Sequence, residues 1–177
     1  QAQALNRGVI LITAHLGNWE LGGAVLAAMG VRVNAVFLPQ RLSKVNALFQ
    51  RQRSHRGITC IPIGQAARCV IGALRRHEAV AMLADRDFTA HAVETPFFGR
   101  PAHLSSGPVR MALKTQAPLL PCFLLRQPDD TFLMRFHPPI VPAPDSTPES
   151  LQLALRDVLE REIGEHPLQW FMFDDFW

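Results

Sequence analysis

Short apolar runs rich in β-branched residues alternate along the chain with segments of helical period. "VILIT" is followed by "WELGGAVLAAMG", "VNAVFL" by "SKVNALFQRQRSH", "ITCIPI" by "QAARCVIGALRRH", and "AVAML" by a stretch without sustained period. Runs of five or six residues suit strands buried on both faces, and the stretches between them are long enough for crossover helices. The alternation predicts an α/β fold, a single domain with a mostly parallel central sheet flanked by helices. A length of 177 residues agrees, being enough for one well-buried domain and too little for two.

The second half is less regular. Residues 85–106, "DRDFTAHAVETPFFGRPAHLSS", hold two prolines and one glycine and read as a long irregular loop, too apolar at "TPFFG" for a disordered linker. "SGPVRMALKTQ" reads as a helix with Ser105 or Ser106 near its start and Pro108 in its first turn. "APLLPCFLLRQ" and "TFLMRFHPPIV" read as two strands joined around "PDD". A last helix is expected from about Pro148 to Ile163, before the aromatic terminus "HPLQWFMFDDFW".

Charge changes the picture more by placement than by amount. The net charge is only +3, yet no acidic residue stands between Glu20 and Glu78, where Arg32, Arg41, Lys44, Arg51, Arg53, Arg56, Arg68, Arg75 and Arg76 all fall. Of the 18 cationic residues 16 are arginine, whose planar fork suits phosphate and carboxylate, so this block is an anion-facing candidate. Within it the helix from Ser43 takes that residue as N-cap, turns Val45, Leu48 and Phe49 to one face, and carries Lys44 and Arg51 on the other. A nucleic-acid surface fits poorly, because the cations coincide with core-forming elements and no aromatic stacking platform accompanies them. No apolar stretch approaches the roughly 20 residues of a membrane span. Cys60, Cys69 and Cys122 lack CxxC spacing and sit in apolar contexts, which predicts buried free thiols.

The candidate chemistry lies in "AHLGNWELGG", residues 14–23. In a continuous helix His15 and Glu20 would stand about 140° apart on the cylinder, too far to meet. A strand ending at Ala14 solves this: His15 then sits at its carboxyl end, Gly17 permits a tight turn, and Asn18 caps a helix that begins at Trp19. Glu20 falls in the first helical turn, favoured there by the helix dipole and able to reach back to the imidazole. A carboxylate on one ring nitrogen would leave the other free to take a proton from a hydroxyl, a general-base pair with no enzyme nucleophile. The same residues allow a plainer use, Glu20 as a generic first-turn acid and His15 as a hydrogen-bonded loop residue. Zinc would want a second histidine at helical spacing, which His15 lacks, and a metal set of His15 with Asp85, Asp87 and His91 has no local support.

"HLGNWE" matches the His-x4-Asp/Glu signature of the glycerolipid acyltransferase superfamily. The chain closely resembles the bacterial lipid A biosynthesis acyltransferases and the related phosphatidylinositol mannoside acyltransferases, through "GNWE" and, in family order, "RLSKVNALFQRQRSHRG", "AVAMLADRDFT", "TPFFGRPAHLSSGPVRMALKTQAPLLP" and "PLQWFMF". The resemblance implies a glycerolipid-acyltransferase-like fold and an acyltransferase catalytic domain spanning residues 1–177. It implies His15 as the base that deprotonates an acceptor hydroxyl, Glu20 as its orienting partner, and an acyl thioester of acyl carrier protein or CoA as donor. An anionic lipid or glycolipid such as a lipid A precursor would be the acceptor, with no metal, no cofactor and no covalent acyl-enzyme. Arg41 and Arg53 are the expected phosphate binders, with Asn18, Lys44 and Gly99 also at the substrate and Asp85, Arg86 and Asp87 on the acceptor side of the cleft. In such an enzyme the apolar tip of "HAVETPFFG" is expected to pack over the active site, with membrane contact as a secondary role. The resemblance further implies a hydrophobic anchor ahead of the first strand. None is present in the sequence, so an anchor upstream or peripheral docking would hold the protein at the cytoplasmic face of the bacterial inner membrane. A thioesterase in which water replaces the acceptor is the competing reading of the same residues.

Overall fold

The computed structural model describes residues 7–87, 92–173 and 175–177. In chain order these form β1 (Val9–Thr13), α1 (Trp19–Ala28), β2 (Val33–Phe37), α2 (Ser43–His55), β3 (Thr59–Pro62), α3 (Ala66–Arg75), β4 (Ala79–Leu83), β5 (Val93–Phe97), β6 (Arg100–Leu104), α4 (Gly107–Thr115), β7 (Leu119–Arg126), β8 (Phe132–Phe136) and α5 (Pro148–Glu165). Six strands make one sheet in the order β3-β2-β4-β1-β7-β8. Every pairing in it is parallel except that of β7 with β8.

Alternating side chains divide the core into two layers. Ile10 and Ile12 of β1, with Val80 and Met82 of β4, face Val70 and Leu74 of α3, Val109 of α4 and Leu155 and Leu159 of α5. Leu11 and Ala79 point the other way, toward Leu26 of α1. Both faces of β1 and β4 are therefore covered, which is why these strands read as unbroken apolar runs. Burying each Ile or Leu completely stabilises by roughly 1.5–3 kcal/mol. At the antiparallel edge, the buried carboxylate of Glu162 on α5 accepts hydrogen bonds from Arg135 (3.1 Å) and His137 (2.7 Å), tying that helix to the segment of β8.

The expected strands and helices are present, with three differences. Ser43 is the first helical residue and Leu42 occupies the cap position without a side-chain hydrogen bond. The segment expected to be irregular contains a hairpin, β5 paired antiparallel with β6. Phe98 and Gly99 both take positive φ, 51° and 74°, which suits the tight two-residue turn of such a hairpin. Pro96 and Pro101 face each other in this two-stranded ribbon, and two prolines in so short a run hide a strand from sequence reading. The hairpin does not take its expected place over the candidate site: Phe97 is fully buried against Phe98, Trp170 and Phe176, the Phe98 N–H donates to Glu160 of α5, and none of residues 93–104 lines the cavity at the strand ends. Third, only Cys122 is fully buried, while Cys60 and Cys69 are half-buried; all three are free thiols. Burial pushes the Cys122 thiol up to about 12, so it stays protonated and inert at neutral pH.

Because β1 to β4 are parallel, their carboxyl ends gather on one edge of the sheet. The chain leaves β1 for β2 and β3 on one side and later places β7 and β8 on the other. Open α/β sheets receive ligands at the strand ends where the order reverses in this way.

Candidate active site

His15 follows β1 at this edge. Strands β1 and β4 pair in register, Thr13 opposite Leu83, so the residues two places beyond each strand end, His15 and Asp85, come together across 70 positions of sequence. The Asp85 carboxylate is fully buried and accepts three hydrogen bonds. The His15 backbone N–H reaches Oδ2 at 2.9 Å, His15 Nδ1 lies 3.0 Å from Oδ1, and the Trp170 indole N–H reaches Oδ2 at 3.0 Å. A buried carboxylate needs donors in place of water, and these three supply them. Facing a pure acceptor, Nδ1 carries the ring proton, which leaves Nε2 unprotonated and able to take a proton from a bound hydroxyl. The ring is also fixed by edge contact with Trp19, 5.1 Å between centroids.

The turn that delivers His15 follows the sequence expectation. Gly17 has φ of +61°, Asn18 caps α1 by accepting the Leu21 N–H at 3.0 Å, and Glu20 lies in the first helical turn. The Glu20 carboxylate, however, is taken by Arg53 of α2. The guanidinium Nε donates to Oε2 at 3.1 Å and a terminal N–H donates to Oε1, a two-pronged contact, while the same guanidinium sits 5.5 Å from the Phe37 ring. The pairing with Glu20 raises the Arg53 pKa above its ordinary value against the opposing effect of burial. Where Glu20 was expected to orient the imidazole, Asp85 holds it; Glu20 and Arg53 clamp α1 to α2. Local spacing could not show this, because the partner of His15 is set by the register of two strands that are distant in sequence.

A cavity of about 690 Å³ opens over these strand ends, lined by His15, Glu20, Arg53, Arg86, Asp87 and Arg110 among its polar groups. Part of its apolar lining lies on the sheet face beneath α1, from Phe37 past Ala35, Ala81 and Gly23 to Val33 and Ile58, and Val36, Ile63, Met82 and Met111 add to it. The other expected binding residues lie elsewhere. Arg41 and Lys44 are exposed and do not line the cavity, because α2 buries no residue and turns Lys44 to the outside. Asn18 is occupied as a cap, and Gly99 is at the β5–β6 turn with open space around it. His91 lies outside the described residues. Among the described residues no three His, Cys, Asp or Glu side chains group closely enough to hold a metal ion. Two residues at the site had no assigned role in the sequence reading. Arg110 of α4 stands inside a recognisable block, and its helical phase could have marked it as facing the strand ends. Trp170 stands in "PLQWFMF" with nothing local to link it to Asp85.

The family model described as bacterial lipid A biosynthesis acyltransferase matches residues 1–177. The chain is 30% identical over 186 residues to a phosphatidylinositol mannoside acyltransferase from two strains of Mycobacterium tuberculosis, covering 99% of this chain and 56% of the relative. It is 25% identical over 175 residues to the phosphatidylinositol mannoside acyltransferase of Mycolicibacterium smegmatis, 97% of this chain and 57% of the relative. The chain thus spans a little over half the length of the curated relatives it matches.

Proposed function

The chain belongs to the bacterial lipid A biosynthesis acyltransferase family, and we propose from this that it transfers a fatty acyl group from an acyl thioester to a hydroxyl of an anionic lipid or glycolipid. The observation that carries the reading is the Asp85–His15 pair at the mouth of a largely apolar cavity. His15 Nε2 takes the hydroxyl proton as the acceptor oxygen bonds to the thioester carbonyl carbon. The tetrahedral oxyanion collapses, the carbon–sulfur bond breaks, and the thiolate leaves with the proton returned by the imidazolium, which Asp85 stabilises meanwhile. Arg86 and Arg110 line the cavity where an acceptor phosphate or the oxyanion would need positive charge. The acyl chain fills the slot under α1, whose run from Phe37 to Val33 is about 13 Å at the rise of a strand. Acyl carrier protein or CoA carries the donor, and a lipid A precursor or a phosphatidylinositol mannoside, the acceptor in the name of its relatives, receives it. No metal takes part in these steps.

The test supplies palmitoyl-CoA alone, then with each of these two lipids, and follows products by mass spectrometry. Acylated lipid that forms only with wild-type protein supports the reading. Thioester hydrolysis at an unchanged rate with either lipid, and no acylated lipid, would instead establish a thioesterase.

Among the described residues no helix is long and apolar enough to cross a membrane. Contact with the cytoplasmic face of the inner membrane is proposed through α2. Lys44, Leu48, Arg51 and His55 recur at helical spacing on its exposed side, Leu48 standing with the cations and not, as expected from the sequence, opposite them with Val45 and Phe49; Leu42 beside them is 70% exposed, and the helix has no acidic residue. Phe49 and Leu38 are both exposed and both line the cavity, so this face adjoins the entrance. Each basic side chain near an anionic bilayer contributes about 1 kcal/mol, so Lys44→Glu with Arg51→Glu should weaken binding to phosphatidylglycerol vesicles by roughly tenfold or more. Co-sedimentation measures it, and equal binding of the variant would exclude this surface.

A further inference from the structure

We propose that Trp170 is a positioning residue for the His15 base, acting through Asp85; the inference rests on the acyltransferase reading above. Trp170 does not line the cavity, so its effect on the reaction has to pass through another group. Its indole N–H donates to Asp85 Oδ2, the oxygen that also accepts the His15 backbone N–H, while Oδ1 meets the imidazole. An indole N–H is a donor only, so it supports the carboxylate in its charged form and cannot compete with the imidazole for a proton. Two donors on one oxygen and one on the other fix the plane of the carboxylate, and that plane aims the imidazole.

The donor is itself held. After α5 the chain passes along residues 15–17 as a short antiparallel strap: Trp170 bridges Leu16, the Gln169 carbonyl accepts the Gly17 N–H at 2.9 Å, and the Phe171 N–H donates to the His15 carbonyl at 2.7 Å. The Gln169 side chain exchanges two hydrogen bonds with the Arg126 backbone, anchoring the strap to the end of β7. Phe97 and Phe176 pack edge-on against the indole, with centroids 6.2 and 5.1 Å away. The strap thus braces His15 through its main chain and, by way of Asp85, through its ring.

Trp170→Phe keeps the ring packing and removes the donor. With palmitoyl-CoA and phosphatidylinositol mannoside, it should lower kcat by about tenfold with KM nearly unchanged, as expected for loss of one hydrogen bond to a charged group. In an Asp85→Asn background the same substitution should change kcat by less than about twofold, because the route runs through the carboxylate. An equal factor in both backgrounds would show a merely structural role and overturn the proposal. Phe176→Leu, which loosens the packing and leaves the donor, should keep most of kcat; a loss matching that of Trp170→Phe would overturn it as well. Nitrogen-15 spectra of the histidines test the geometry without turnover. The proposal expects the His15 Nδ1–H signal to shift or broaden in Trp170→Phe, and an unchanged signal would count against it. Absence of transfer by the wild type would sink the acyltransferase reading alone, and the spectra would still decide whether Trp170 orders the imidazole.

Discussion

In the proposed reaction an Asp85→Asn protein is expected to fold and to turn over on the order of a thousandfold more slowly than wild type, close to the level of His15→Ala. Asparagine is isosteric and uncharged, so its burial is not the difficulty. Two N–H donors, from the His15 backbone and Trp170, converge on Oδ2 and will select the amide oxygen for that place. The amide NH2 must then face Nδ1, which turns the imidazole nitrogen there into an acceptor and moves the ring proton to Nε2. A protonated Nε2 cannot take a hydroxyl proton. Glu20→Gln loses only the clamp to Arg53 and leaves the ring tautomer intact, so its loss of kcat should be much smaller. Steady-state kcat for the three variants, with thermal melts to confirm folding, makes the comparison. A severe loss in Glu20→Gln with a mild one in Asp85→Asn would restore Glu20 as the partner of His15.

The contrast marks where sequence reading succeeds. The strands of residues 9–13 and 79–83 were legible because burial on both faces writes them as unbroken apolar runs. The cap at Asn18 and the first-turn position of Glu20 were legible because cap chemistry is local. Three features were not. The Asp85–His15 pair depends on strand register, since Thr13 opposite Leu83 is a fact of the sheet and has no signature within either segment. The outward direction of Lys44 was hidden because α2 buries no residue, so periodicity shows that its faces differ without showing which one meets the cavity. The hairpin at residues 93–104 was masked by Pro96 and Pro101, which a ribbon of two strands tolerates and a central strand would not.

Gly17→Ala should be among the most damaging small substitutions in the chain. At φ of +61° an L-residue is strained, and a Cβ there would stand 2.1 Å from the Leu124 carbonyl oxygen, a backbone atom that no side-chain rotation can move away. The left-handed conformation costs about 1–2 kcal/mol and the forced displacement a further 1–3, for a total of about 3 kcal/mol. In a domain of this size that lowers the melting temperature by roughly 10 °C. Gly57→Ala supplies the comparison: its φ is +76°, yet nothing lies within 4 Å of the added Cβ, so only the conformational cost applies. Equal melting temperatures for the two variants would mean that the turn does not press against β7 as described. Activity should fall further than stability in Gly17→Ala alone, because the crowded backbone carries the Gly17 N–H bond to Gln169 and the Asn18 N–H bond to Leu124. Relieving the overlap by moving residues 16–18 outward would draw His15 away from Asp85 while the rest of the sheet stayed folded, so kcat should drop even at temperatures well below the melt.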